Sequence, residues 1–175
     1  RITDIDEETH EFKMDALTSP QIDLAIAKRY LLAEGDILFA RTGASVGKTY
    51  HYNKSDGIVY YAGFLIRARI KPEYDSEFVL QNTLTKKYNR FIKITSQRSG
   101  QPGVNAQEYA DFLMMVPKFE EQTAIGAFFK QLDDTIALHQ RKLEKLKELK
   151  KAFLSLIFSQ KLRFAGFAGE WKEKR

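Results

Sequence analysis

The 175-residue sequence predicts an α/β (α+β) domain followed by one long, protruding α-helix. Three observations support this fold class. Short stretches rich in β-branched and aromatic residues alternate with helical segments over the first two thirds of the chain. Glycines and prolines separate these stretches. From residue 120 onward, apolar residues recur at alternating steps of three and four, which is typical of a helix that packs along another helix.

The first predicted strand covers residues 34–41 and leads into a glycine turn. The letters of this turn suggest a phosphate-binding loop, which needs four residues between its glycines and a helix after it. Only three residues separate Gly43 and Gly47, and the residues that follow predict strand and turn. We therefore interpret both glycines as conformational. Phosphate contact by Arg41, Ser45 or Lys48 is the alternative.

Five further elements are predicted before the long helix. Residues 58–70 predict a half-buried strand with basic groups on its open face. A helix capped by Ser76 and a second, basic helix over residues 85–95 follow. Residues 96–105 predict a loop, because they contain two glycines and a proline. Residues 111–117 predict a short return to strand.

The long helix is predicted from residue 120 to residue 158, on the order of 55 Å in length. Eight of its ten heptad positions are apolar. These ten positions, termed the seam, are Ile125, Phe129, Leu132, Ile136, His139, Leu143, Leu146, Lys150, Phe153 and Ile157. Polar residues in such a seam fix the register and the partner. Packing of the helix onto its own domain is the alternative interpretation.

Composition excludes several classes of protein. No cysteine is present, and the three histidines lie far apart in the sequence without a metal-ligand spacing, so no metal site is predicted. There is no run of about 18 apolar residues and no signal sequence, so we expect a cytoplasmic protein without a membrane partner.

Charge is distributed unevenly along the chain. Residues 1–36 carry four basic and nine acidic side chains, whereas residues 41–98 carry eleven basic and four acidic ones. Residues 130–163 have nine basic and four acidic side chains. A polyanion would therefore contact the middle of the chain rather than its start. A basic surface that is only solvated is the alternative.

No catalytic site is predicted. Glu148-Leu149-Lys150 has the letters of a nuclease motif, but it falls on or beside the seam and is interpreted as a coincidence. The sequence has no dinucleotide-binding glycine motif, no Asn-Pro-Pro-aromatic string and no Gly-x-Ser-x-Gly. The sequence therefore predicts a non-catalytic protein.

Three segments of the chain resemble one known family in the expected order. They are "YLLAEGDILFARTGASVGKTYHY", "SGQPGVN" and "VPKFEEQTAIGAFFKQLDDTIALHQRKLEKLKELKKAFLSLIF". Together they resemble the DNA specificity subunit of type I restriction–modification systems over residues 30–160. The resemblance implies a target recognition domain followed by a conserved spacer helix, which forms an antiparallel coiled coil with a second such helix. It also implies recognition of one half of a bipartite site in double-stranded DNA.

The resemblance further implies partners and domain limits. Methyltransferase and restriction (motor) subunits would assemble with the chain, and they would bind S-adenosylmethionine, ATP and Mg, so that the chain itself needs no cofactor. Residues 1–117 would form a recognition domain lacking its opening segment, residues 118–159 the spacer helix, and residues 160–175 the start of a next half-module. We expect an isolated chain to homodimerise through its helix. The alternative function is a coiled-coil assembly protein without DNA recognition.

Candidate DNA-binding residues lie in the loop after the basic helix and on that helix. Base contacts are predicted for Arg98, Ser99 and Gln101, because arginine and glutamine can bind base edges with two hydrogen bonds. Phosphate contacts are predicted for Lys86, Lys87, Arg90, Lys93, Arg41 and Lys48. The alternatives are a loop that only turns the chain and a helix face that is only solvated.

Overall fold

The structure is a computed structural model that describes residues 1–6, 10, 12–13, 21 and 23–174. The chain divides into two compact units, residues 1–133 and residues 134–175. The first unit contains a small sheet, short helices and the start of a long helix. The second unit contains the remainder of that helix and the C-terminal segment. No helix in the described part of the chain is long and apolar enough to cross a membrane.

Three antiparallel strands form the sheet in the order β2-β1-β3. They are β1 (Asp36–Ala40), β2 (Thr49–His51) and β3 (Leu65–Arg69). In the central strand, Leu38 pairs with Tyr50 of β2 and with Arg67 of β3. The strand predicted over residues 34–41 is confirmed. Its continuous apolar sequence is explained by burial on both faces, since Ile37 and Leu38 belong to different core clusters.

The strand predicted over residues 58–70 is wrong in its first half. Only Leu65–Arg69 pairs along β1, while Tyr60 forms a single bridge with Leu31. The Leu65 N–H donates to the Ala62 carbonyl at 2.9 Å, which closes a turn immediately before β3. The predicted strand was too long because the residues of the turn and of the bridge have the same apolar and aromatic composition as a strand.

The arginines of β3 are engaged with a buried carboxylate. Asp36 has a side chain that is 1% exposed, and it lies 3.4 Å from Arg69 and 4.0 Å from Arg67. The Ala33 N–H also donates to Asp36 at 2.9 Å. The buried carboxylate is thus paired as it needs to be, while the Arg69 side chain remains 66% exposed.

Among the described residues of the first unit, the short α-helices are α1 (Leu24–Ala27), α2 (Ser76–Thr83), α3 (Lys86–Thr95) and α4 (Ala106–Ala110). The sequence predicted Ser76 as the cap of α2, and this prediction is wrong. Asp75 is the cap, because its carboxylate accepts the Phe78 N–H at 2.9 Å. The Ser76 hydroxyl instead lies 3.0 Å from the His51 ring and joins α2 to β2. The basic helix α3 is confirmed, and the Thr85 hydroxyl accepts its Tyr88 N–H at 3.2 Å.

The strand predicted over residues 111–117 is also wrong. Phe112 and Met114 pack against two core clusters, whereas Leu113 and Met115 are exposed. The alternation therefore comes from packing on the core, and no strand pairs with this segment among the described residues. The preceding helix α4 was not predicted, although Asn105 and Glu108 form a capping box at its start.

The long helix α5 (Phe119–Phe158) is confirmed and contains 40 residues, so it is about 60 Å long. Its start is fixed in the first unit by Gln122, which is 2% exposed. This side chain accepts the Asp75 N–H at 3.1 Å and donates to the Pro117 carbonyl at 3.0 Å. Ile125 of the seam packs with the apolar side chains of α2. The first seam position is therefore used by the chain's own domain.

The chain folds back locally after α5. The Leu162 N–H donates to the Leu156 carbonyl at 3.0 Å. The guanidinium of Arg163 lies 5.2 Å from the ring centroid of Trp171, and that ring is 6.1 Å from the ring of Phe158. The hydrogen bond provides a donor for one carbonyl of the last helical turn, and the ring contacts give the segment after the helix a defined structure.

Candidate nucleic-acid interface

The glycine turn after β1 lies directly against the loop after α3. The Val104 N–H donates to the Arg41 carbonyl at 2.8 Å, and the Gly43 N–H donates to the Pro102 carbonyl at 2.9 Å. The structure therefore joins two segments that the sequence analysis treated separately. These two segments, residues 41–47 and 96–104, are termed the paired loops.

The glycines of the turn have a conformational role, as predicted. Gly43 and Gly47 have φ angles of 76° and 87°. A Cβ atom on Gly47 would lie 2.6 Å from Cγ2 of Ile92 in α3. The turn therefore needs glycine for its backbone angle and for its close approach to α3. It leads into β2 rather than a helix, which is inconsistent with a phosphate-binding loop of the nucleotide-hydrolysing type.

Two tyrosine hydroxyl groups hold this turn in place. Tyr88 donates to the Gly47 carbonyl at 2.8 Å, and the Gly47 N–H donates to the hydroxyl of Tyr109 at 3.1 Å. Tyr109 in turn donates to the Ala40 carbonyl at 2.6 Å. Burial raises the pKa of Tyr109 to about 12 and also raises the pKa of Tyr88. The sequence analysis missed both residues, because an isolated tyrosine gives no signal of its hydrogen-bond partner.

Helix α3 places three predicted phosphate contacts on one exposed face. Lys86, Arg90 and Lys93 are spaced at i, i+4 and i+7, which brings them onto the same side of the helix. The opposite side buries Tyr88 and Ile92. Within the part of the chain that the structure describes, none of the three basic side chains has an ion-pair partner. The helix sequence contains no acidic residue.

Two other predicted phosphate contacts are engaged with the protein. Lys87 donates to the Leu113 carbonyl at 2.6 Å, and Lys48 donates to the Ile5 carbonyl at 2.8 Å. Each ammonium group has three N–H donors, so these hydrogen bonds restrict its position and leave donors for a phosphate. Arg41, by contrast, is exposed at the start of the glycine turn.

The predicted base contacts differ in their surroundings. Ser99 and Gln101 are exposed in the paired loops. Arg98 is bound by the chain itself, since its guanidinium donates to the Glu108 carboxylate and to the Thr95 carbonyl. Hydrogen bonds from the Asn105 N–H and from Arg98 lower the pKa of Glu108. In this structure Arg98 fixes the loop to the start of α4.

The described residues contain no group of three or more metal-ligating side chains that could hold a metal ion. The first unit thus combines a small sheet, two hydrogen-bonded loops and an exposed basic helix face, and a long helix extends from it. An exposed basic helix face beside ordered loops is typical of the class of nucleic-acid-binding modules.

The comparison with protein families identifies the kind of module. Residues 21–148, more than half of the chain, match the family described as the type I restriction modification DNA specificity domain. The chain belongs to this family. The match includes the sheet, the paired loops, α3 and most of α5.

The family assigns the chain its role. It is a DNA target recognition component of a type I restriction–modification system, and this component is non-catalytic and carries no cofactor. Its partners are DNA and the methyltransferase and restriction subunits. The predicted family and the predicted function in DNA recognition are both confirmed.

Proposed function

We propose that the chain recognises one half of a bipartite site in double-stranded DNA and directs adenine methyltransferase and restriction subunits to that site. The observation that carries this proposal is the exposed basic face of α3, because this helix leads directly into residues 96–104 of the paired loops. The opposite side of α3 is fixed to residues 41–47, since Tyr88 donates to the Gly47 carbonyl at 2.8 Å. Because its target is DNA, we place the chain in the cytoplasm.

Phosphate contacts are assigned to Lys86, Arg90 and Lys93. Like charges at i and i+4 destabilise a helix by a few tenths of a kcal/mol, and α3 has no acidic residue to offset this cost. The outer two positions are about 10 Å apart along the helix axis. An anionic backbone along this face would remove the repulsion and release counterions.

Base contacts are assigned to the paired loops, with Ser99 and Gln101 as the exposed groups. Hydrogen bonds between the two loops and the tyrosine hydroxyls restrict their backbone, and a restricted backbone orients side chains for base recognition. Arg98 remains a proposed base contact, and it would act by exchanging the Glu108 carboxylate for a guanine edge.

The exposed part of the α5 seam is proposed as a helix–helix interface. Seam residues from Phe129 to Phe153 that are apolar are each more than two fifths exposed. An antiparallel partner helix would cover them, either from another half-module or from a second copy of the chain. We retain residues 1–117, 118–159 and 160–175 as the proposed recognition domain, spacer helix and following half-module. A homodimer would present two identical recognition domains and recognise a symmetric site.

Methylation-site mapping tests the proposal. Cells would carry the partner methyltransferase subunit with and without this chain. We expect a split, adenine-containing motif that appears only with the chain and is symmetric when no other specificity subunit is present. If the methyltransferase subunit co-purifies with the chain but no motif appears, the chain is an assembly protein and the proposed recognition is wrong.

A further inference from the structure

Phe64 is the most exposed aromatic residue in the part of the chain that the structure describes, with 75% of its surface exposed. It does not lie on a free loop. The turn between Ala62 and Leu65 closes with a 2.9 Å hydrogen bond, and β3 begins directly after Phe64. The backbone therefore holds a large apolar ring in solvent at a defined position.

This position adjoins the paired loops. The Arg41 N–H donates to the Phe64 carbonyl at 3.2 Å, while the Arg41 carbonyl accepts the Val104 N–H at 2.8 Å. Arg41 is thus hydrogen-bonded to Phe64 through one backbone group and to the loop after α3 through the other. Neighbouring hydrogen-bonded segments lie about 5 Å apart. The backbone of Phe64 is therefore separated from the loop that carries Gln101 by one intervening segment, the one that contains Arg41.

Exposure alone does not distinguish Phe64, because single exposed apolar residues are common on protein surfaces. Ile58 illustrates this, since it is 81% exposed on the same connection between β2 and β3. However, its neighbour Val59 accepts the Leu32 N–H at 3.0 Å, so this part of the connection lies against residues that precede β1. Phe64 differs in its place beside Arg41 at the end of β1.

We propose that Phe64 is a specificity-determining residue that contacts the 5-methyl group of thymine in the major groove of DNA. The inference rests on the proposed function of the paired loops. Thymine presents the apolar group of the major groove, whereas the other base edges present hydrogen-bond donors and acceptors. Ser99 and Gln101 can bind those polar edges. Phe64 supplies the apolar contact that they lack.

The test uses the full chain with its methyltransferase subunit and duplexes that carry the mapped site. Each thymine is replaced in turn by uracil, which removes only the methyl group. The chains compared are the wild type, Phe64→Ala, Phe64→Leu and the exposure-matched control Ile58→Ala. Thermal unfolding verifies that each variant is folded, which we expect for exposed positions.

We expect one uracil substitution to lower the wild-type affinity about fourfold, because one buried methyl group is lost. The same substitution should have no effect on Phe64→Ala, which itself binds the thymine site about tenfold or more weakly. Phe64→Leu should retain part of the discrimination, and Ile58→Ala should bind like the wild type.

Four results would overturn the inference. The first is a uracil penalty that is equal in the wild type and in Phe64→Ala. The second is a loss of affinity in Phe64→Ala that is equal for specific and unrelated DNA, which indicates a contribution without base specificity. The other two concern the mapped site. If the wild type prefers its mapped site and Phe64→Ala binds that site with the same affinity as the wild type, only this inference fails. If the wild type shows no preference for any site, the proposed function fails as well.

Discussion

Helix α3 and the second-unit part of α5 both expose one face in the part of the chain that the structure describes, but the two faces differ in chemistry. The exposed face of α3 carries Lys86, Arg90 and Lys93, and its opposite face is buried. The α5 segment carries charges of both signs, and its seam leaves leucines such as Leu143 and Leu146 about half exposed. We expect the first face to bind an anionic partner and the second to bind an apolar one.

This difference predicts opposite responses to salt. Contacts between α3 and DNA phosphates weaken as salt rises, because salt screens charges and removes the gain from counterion release. Apolar contacts along the α5 seam do not weaken in this way, and sulfate strengthens them. A salt titration can therefore separate the two interactions in the same protein.

The largest expected effect is on self-association. Leu143→Glu combined with Leu146→Glu places charges in the seam, and we expect dimerisation to weaken by at least about a thousandfold. Sedimentation equilibrium would measure this. The matched control is Lys145→Glu, which changes the net charge by the same amount at an exposed position outside the seam. Equal effects of the two variants would show that the seam is not the interface.

The next largest effect concerns the fixed geometry beside α3. Gly47→Ala adds a Cβ atom 2.6 Å from Ile92 at a φ angle of 87°, so we expect about 3 kcal/mol of lost stability in urea unfolding. Gly100→Ala is the control, because nothing lies within 4 Å of its Cβ position. It should change stability by less than about 0.5 kcal/mol. An unchanged free energy of unfolding in Gly47→Ala would show that the turn is not constrained against α3.

The third prediction concerns the basic face itself. Replacing its three residues by alanine should lower DNA affinity about a hundredfold at 0.1 M salt and reduce the slope of log affinity against log salt by about three. Fluorescence anisotropy at several salt concentrations would measure both. The control is a triple alanine variant at other exposed lysines of the first unit, Lys54, Lys71 and Lys118. An unchanged salt slope in the α3 variant would exclude this face from phosphate binding.

The smallest expected effect concerns a single hydroxyl group. Tyr109→Phe removes two hydrogen bonds at the glycine turn and should cost about 1 kcal/mol of stability. Burial raises the pKa of Tyr109 from 10 to about 12. The contribution of its neutral hydroxyl to folding stability is therefore complete below pH 10 and is lost between pH 10 and 12. The wild type should therefore lose stability more steeply than the variant over this range.

The control for this prediction is Tyr74→Phe, whose ring is 40% exposed. It should change stability by less than about 0.5 kcal/mol, because the change removes one hydroxyl group from an exposed side chain. Identical slopes for wild type and Tyr109→Phe would contradict the hydrogen-bonded, buried state of the Tyr109 hydroxyl.

Elements with long or continuous patterns were predictable from the sequence. Strand β1 has an unbroken apolar sequence, α3 has an apolar stripe at helical spacing, and α5 has a heptad seam. The family was identified from motif order. The strand predicted over residues 111–117 failed because a period of two records which side chains face the core and does not show that a neighbouring strand exists.

The site was predictable only in part. The basic residues of α3 were found because helical spacing is a local property. The hydrogen bond between Arg41 and Val104 joins residues that are far apart in the chain, and no local pattern encodes it. The same applies to the carboxylate of Glu108 that binds Arg98, and to the tyrosine hydroxyls on Gly47. These contacts depend on tertiary structure.

The folded segment after α5 provides an optical probe. Trp171 is the single tryptophan of the chain, and it stacks near Phe158 and Arg163 in the second unit. The first unit has no tryptophan, but it contains the buried rings of Tyr50 and Tyr88. Indole emission therefore follows the second unit, while the near-ultraviolet circular dichroism of tyrosine follows the first. One unlabelled sample can show whether the two units melt together or separately.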